Sequence, residues 1–328
     1  MRSVVAQGFV VRGSVGLTAC ILAGCGALLL ASCATVPQRS QTEWMGVLPG
    51  DATMYISVLV PKSADLIRKT LKEAGPAYND VITLSGMTKR LLVSVSVQKD
   101  APMRFAAVAL GGYPSVLIGI SLNGKKEWKQ ESAPDGNFYL WNKANLQLSI
   151  PNGGTILAAN GDMPALLSRY KTPIPLPIPA EVADDMAKTD IVLYMPQLPG
   201  GMGETTVGQP AASQSDDRPH LGVREVWVGA MKSKDGYVLG ATVNTGTEQQ
   251  ARALSFVLRV GIIAWMKSTN VPDVAARLRA ITVSPLGASV RVKGVAVSDT
   301  EIMPLIISLL GGGPAAPGDG GAAQDQGS

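Results

Sequence analysis

The sequence predicts an α+β protein in which antiparallel β-hairpins and sheets pack with amphipathic helices. Three observations carry that expectation. Short β-branched runs such as MYISVLV (54–60) and LLVSVSVQ (91–98) are bounded by Gly, Asn or Pro, as strands are. Between them lie stretches whose apolar residues recur at helical spacing. Later segments also echo earlier ones. DIVLYMPQLP resembles ATMYISVLVP, and SIPNGGTILAANGDMPALLS parallels SPLGASVRVKGVAVSDTEIMPLIIS, with Met163-Pro164 matching Met303-Pro304. Two readings of the echo stay open: two duplicated halves, or two hairpin–helix units that share turn chemistry.

The N-terminus comes first. Arg2 and Arg12 are the only charges before Arg39, and Gly13 to Ala31 carries none. A basic lead and an apolar run form an export signal. The run is diluted by Gly13, Gly16, Gly24 and Gly26 and falls short of the ~20 residues of a spanning helix. It ends in Leu30-Ala31-Ser32-Cys33, which resembles the bacterial lipobox. That resemblance implies a diacylglycerol on the Cys33 thiol, cleavage just before it, and a palmitate-bearing lipoprotein. Leu22-Ala23-Gly24-Cys25 matches equally well, but cleavage there would leave GALLLA on the mature end. Cys33 is followed instead by the polar ATVPQRSQTE, so Cys33 is taken as the lipidation site. Residues 1–32 are then the signal peptide and 33–50 the lipidated Cys and its tether.

Residues 51–170 read as a first α+β half. Met54–Val60 is a strand ending at Pro61. Ser63 caps a helix with Ala64, Ile67, Leu71 and Ala74 on one face and Arg68, Lys69, Lys72 and Glu73 on the other. A second helix runs from Ala77 to about Arg90. FAAVALGG and SVLIGISLNG form a hairpin through residues 111–114, and FYLW, LQLSI and GTILAA are further strands. A short helix from Pro164 to Tyr170 follows. Residues 171–187 are a Pro-rich linker and a short helix. The second half, 188–310, contains a flexible loop at 199–220, a hairpin around Lys234-Asp235-Gly236 and two further helices. Residues 311–328 are too poor in apolar surface to order themselves.

Chemistry is scarce. The signal holds two of the 29 basic residues, so the mature chain carries 27 against 25 acidic ones, too balanced for nucleic acid. The single histidine, His220, lies in the flexible loop and reads as solvated. Without other His or usable Cys, no metal site or cofactor is expected. Ser96-Val97-Gln98-Lys99 matches S-x-x-K but on a strand, where such a nucleophile does not sit. The chain is expected not to be an enzyme.

The helices are unusually apolar. Thr247 to Gln250 is a capping box opening EQQARALSFVLRVGIIAWMK, which has no charge from Val260 to Met266. Ser298 to Glu301 opens a second such helix, IMPLIISLL. A helix apolar on every side is buried in protein or in lipid. The residues expected at a bilayer surface are Ile67, Leu71, Lys69, Lys72, Leu258, Ile262, Trp265, Ile302, Leu305, Ile306 and Leu309, with Lys89 and Arg90 suited to anionic headgroups. Behind Leu-Ala-Ser-Cys, this α+β body with amphipathic helices resembles the treponemal outer-membrane-associated lipoproteins. The resemblance implies a lipid-anchored envelope protein at the periplasmic face of the outer membrane, non-enzymatic, associating with or perturbing the bilayer and binding membrane lipids. The alternative is a ligand-binding or assembly lipoprotein whose apolar helices form a pocket or dock an envelope protein partner.

Overall fold

The computed structural model describes residues 39–74, 79–97, 101–142, 145–197, 222–268, 274–299, 301 and 302. The signal, Cys33, the whole 199–220 loop with His220, Lys99, Leu305, Ile306, Leu309 and the tail lie outside them. The chain forms two compact units that divide between Pro177 and Ile178.

Unit 1 begins where a tether was expected. Ser40 opens α1 (Gln41–Met45) with a capping box, its hydroxyl accepting from the Glu43 amide while the Ser40 amide donates to Glu43 Oε2 at 2.7 Å. That bond holds the Glu43 carboxyl below its ordinary value. Trp44, Met45, Val47 and Leu48 are all buried, so the tether ends by residue 39 and not at residue 50. The reason is the apolar WMGVL run, too costly to leave in water. Arg39 lies 5.0 Å from the ring centres of both Trp44 and Tyr170, pinning the end of the tether to the unit by cation–π contact.

Seven strands then build an antiparallel sheet in the order β1-β2-β3-β7-β6-β5-β4. They are β1 (Met54–Leu59), β2 (Thr88–Ser96), β3 (Arg104–Gly111), β4 (Trp128–Ala133), β5 (Gly136–Trp141), β6 (Leu146–Asn152) and β7 (Thr155–Ala159). Helix α2 (Val60–Ala74) starts three residues before the expected cap, with Pro61 in its first turn, where a missing N–H is harmless. Ser63 is therefore a buried residue inside the helix, beside Val60 and Leu66, and not its cap. Helix α3 (Asn79–Met87) ends sooner than expected, because Thr88 to Arg90 join β2. Thr88 Oγ1 donates to the Leu84 carbonyl at 2.8 Å and lies 2.9 Å from the Tyr113 hydroxyl, which closes the helix onto the strand.

The expected hairpin at 104–122 is half strand and half helix. After β3 the chain turns through Gly111, whose added Cβ would stand 2.2 Å from the Met87 carbonyl oxygen, and enters α4 (Ser115–Asn123). Buried Tyr113 fixes the approach to that helix, and Gly124 closes it. Tertiary position overrides the strand preference of Val116, Ile118 and Ile120. Strand β4 was hidden by its charges, which suit an exposed sheet edge. Asp162 caps α5 (Met163–Lys171), which buries Met163, Leu166 and Leu167.

Unit 2 contains α6 (Ala180–Lys188), β8 (Ile191–Met195), β9 (Glu225–Ser233), β10 (Gly236–Asn244), α7 (Glu248–Ser268), α8 (Val274–Ala280), β11 (Thr282–Leu286) and β12 (Ser289–Val297). Its antiparallel sheet runs β8-β9-β10-β12-β11. That order repeats β1-β2-β3-β7-β6 strand for strand, with β4 and β5 additional to unit 1, and it is in keeping with the duplicated reading of the sequence echo. The counterpart of the β9–β10 hairpin is β2–β3. In both units the helix that follows the third strand, α4 or α7, occupies the same topological place.

Between β10 and β12 the register shifts at Leu239/Gly240, leaving Gly294 as the extra residue of a bulge. Its φ is +82°, and a Cβ there would stand 2.2 Å from the Ala280 carbonyl oxygen. Gly294→Ala is expected to cost about 2 kcal/mol or more, from the left-handed backbone and the clash together. Urea denaturation midpoints at unchanged slope measure it.

At the end of β12, the Ser298 amide donates to Glu301 Oε2 at 2.6 Å and Ile302 is buried. That backbone bond holds the Glu301 carboxyl below its ordinary value. A lowered carboxylate stabilises the fold above its unfolded-state value and ceases to do so as pH falls through the folded one. Glu301→Gln is therefore expected to lower the melting temperature slightly at neutral pH, in keeping with a cap of roughly 0.5–1 kcal/mol. The difference from the wild type should vanish in acid, as read by melts across pH.

Candidate functional site: exposed apolar faces of two helices

Helix α7 is built to be apolar twice over. Thr247 opens it, Oγ1 accepting from the Gln250 amide at 3.2 Å. Its inner face carries Ala251, Leu254 and Met266, all buried. Leu258 and Ile262 complete that face, packed on a core cluster that includes Val283, Val290 and Val292. Arg259 folds back so that Nε donates to the Val283 carbonyl at 3.2 Å, and Arg252 pairs with Glu248. The outer face is left to Phe256, Val257, Val260 and Ile263, with Phe256 69% and Val260 51% exposed. Residues 256, 260 and 263 follow one another at one-turn spacing, so they form a single stripe and not scattered surface residues.

Helix α4 repeats the pattern in unit 1. Leu122 is buried, whereas Val116, Leu117 and Ile120 stand outward, Val116 at 65% and Ile120 at 64% exposure. Exposing such stripes to water forgoes about 1.5–3 kcal/mol per large side chain that burial would return. Among the described residues, no helix is long and apolar enough to cross a membrane. Each stripe leaves apolar side chains facing outward, and Lys267 is exposed at the far end of α7.

A family model described as "Outer membrane-associated lipoprotein TP0453" matches residues 39–267. The chain belongs to this family. It is an envelope lipoprotein of the outer-membrane-associated kind. The matched span includes α4 and all but the last residue of α7. Three solved crystal forms of TP0453, forms IV, III and I, are similar in fold with a TM-score of 0.57 each, at 14%, 15% and 16% identity. Each comparison covers 80% of this chain and 95–97% of the other. No curated protein matches the chain.

Within this family member, the contact residues expected from sequence divide three ways. Lys69 is exposed and Ile67 half-buried on α2, while the side chains of Leu71 and Lys72 are outside the described residues. Leu258, Ile262 and Ile302 are turned inward, which corrects the expectation that they face a bilayer. Trp265 is half-buried. Lys89 is exposed, but Arg90 is half-buried, reaching Ser57 Oγ at 3.4 Å, with burial lowering its pKa. The outward stripes of α4 and α7 were missed. Arg259 lies on the outer side of α7 but is bent back onto β11, which leaves that side apolar.

Proposed function

We propose that this outer-membrane-associated lipoprotein is a non-enzymatic membrane-contact protein, anchored by an acylated Cys33 and bearing on the bilayer through the outward stripes of α4 and α7. The single observation that supports this most is the Phe256, Val260, Ile263 stripe on a helix whose other face already fills the core. The helix needs no apolar outer residues to fold, so those residues are available to another apolar phase. Acylation makes weak contacts sufficient, since the two chains of a diacylglycerol already hold the protein at the surface. By this reading the α4 and α7 stripes enter the interface as far as the headgroup/acyl boundary and can perturb lipid packing there. Flotation of the chain lacking residues 1–33 with vesicles of phosphatidylethanolamine and phosphatidylglycerol tests it. Protein rising with the vesicles supports the reading; protein remaining at the bottom of the gradient contradicts it, and recovery of a stoichiometric protein partner in its place favours docking.

A further inference from the structure

The geometry points to a second, polar site in unit 1: the cavity behind α4 binds the glycosyl headgroup of a membrane glycolipid. This rests on the membrane-contact reading and extends it, by giving the bilayer partner a chemical class.

The cavity is about 420 Å³ and opens between α4, the β4–β5 turn and α5. Its walls carry Ser115, Gln130, Asn137, Tyr139 and Tyr170. Much of their hydrogen-bonding capacity is unspent. Among the described residues the Ser115 hydroxyl, the Gln130 amide and the Tyr139 hydroxyl have no partner. Asn137 Oδ1 accepts from Ser132, leaving its amide hydrogens free to donate. Tyr170 accepts from Asn152 Nδ2 at 2.6 Å, leaving its own O–H. The two charged lining residues, Lys171 and Asp135, are already paired at 3.0 Å. An array of neutral donors and acceptors between tyrosine rings, with its charges cancelled, suits the hydroxyls and C–H faces of a pyranose better than a phosphate or an ammonium.

Two placements favour a lipid-borne sugar over a free one. Ser115 and Gly119 lie one turn apart on the cavity side of α4, while Leu117 lies on the opposite side and is exposed, with Val116 and Ile120 exposed beside it. A Cβ on Gly119 would stand 3.3 Å from the Tyr139 hydroxyl, so the glycine keeps that group open. A helix with its side chains is ~10–12 Å across, so a site on its inner side stands at headgroup depth when its outer side enters the interface. Independently, Arg39 is stacked on Tyr170, a wall of the cavity, and follows Cys33 by six residues. Fully extended, that leash is about 20 Å long, so an acylated Cys33 holds this wall close to the bilayer.

The test uses the chain lacking residues 1–33 and vesicles of phosphatidylethanolamine and phosphatidylglycerol, with or without monoglucosyl diacylglycerol. The glycolipid is expected to tighten binding about fivefold or more, as one or two neutral hydrogen bonds would. Tyr139→Phe with Gln130→Ala should abolish that increment, leave binding to plain vesicles unchanged and melt as the wild type does; Gln130→Ala alone, on an exposed strand edge, should reduce it. Equal binding with and without glycolipid overturns the assignment, as does an increment that survives both substitutions. A second measurement needs no bilayer, and so separates this site from the membrane-contact reading: NMR titration with octyl glucoside below its micelle concentration. A saturable shift lost in the double variant upholds the site even where plain vesicles fail to bind. No shift overturns it, and methyl glucoside binding as tightly as octyl glucoside overturns the lipid source.

Discussion

Replacing Phe256, Val260 and Ile263 together by serine is expected to release the chain lacking residues 1–33 from vesicles while leaving its stability nearly untouched. Each of these side chains is exposed, so the folded protein loses little when they change. Entry into an acyl boundary would return part of the ~1.5–3 kcal/mol available per large apolar side chain. With about half of it realised, three residues contribute roughly 3 kcal/mol, about a hundredfold in partitioning. The informative contrast is Leu254→Ala on the inner face of the same helix. That substitution should cost about 2–5 kcal/mol of stability, as buried large-to-small changes do, and should not act on vesicle binding until the fold fails. Paired flotation and urea denaturation of the two variants separate the two faces. Loss of binding and of stability together in the triple variant would show that the stripe is structural.

The second large effect is expected at Cys33. Cys33→Ser should abolish incorporation of labelled palmitate and leave the precursor uncleaved, whereas Cys25→Ser should do neither. The thiol is the acylation nucleophile, and serine cannot replace it in a thioether. Mass spectrometry of the native protein reads both the modification and the new N-terminus. A mature chain starting at Cys25 would move the anchor upstream and lengthen the leash to Arg39 from six residues to fourteen.

The α+β class, the β9–β10 hairpin and the start of α7 were legible because local chemistry decides them: Lys234-Asp235-Gly236 closes a hairpin, and Thr247 caps a helix. The repeated strand order of the two units was legible as an echo in the sequence. What the sequence could not reveal depends on tertiary position. Val116, Ile118 and Ile120 have strand preference but lie on α4, held between Tyr113 and Gly124. Trp44 to Leu48 looked like tether because a five-residue helix leaves almost no periodicity to read. In α7 the periodicity is present twice, on opposite faces, and only the strands beneath determine which face is inner. The polar cavity was invisible for a different reason: Ser115, Gln130, Tyr139 and Tyr170 are scattered over 56 positions and meet only through the sheet order.

Removing residues 1–33 also removes all three cysteines, which opens a direct measurement of where α7 goes. Val260→Cys, carrying an environment-sensitive fluorophore, should move to shorter emission wavelength on addition of vesicles and be quenched by lipids labelled in their acyl chains. The same probe on Lys188→Cys, on an exposed and charged position of α6, should do neither. Emission from Val260→Cys that stays unchanged and unquenched while the protein is bound to vesicles would contradict contact through the outer face of α7.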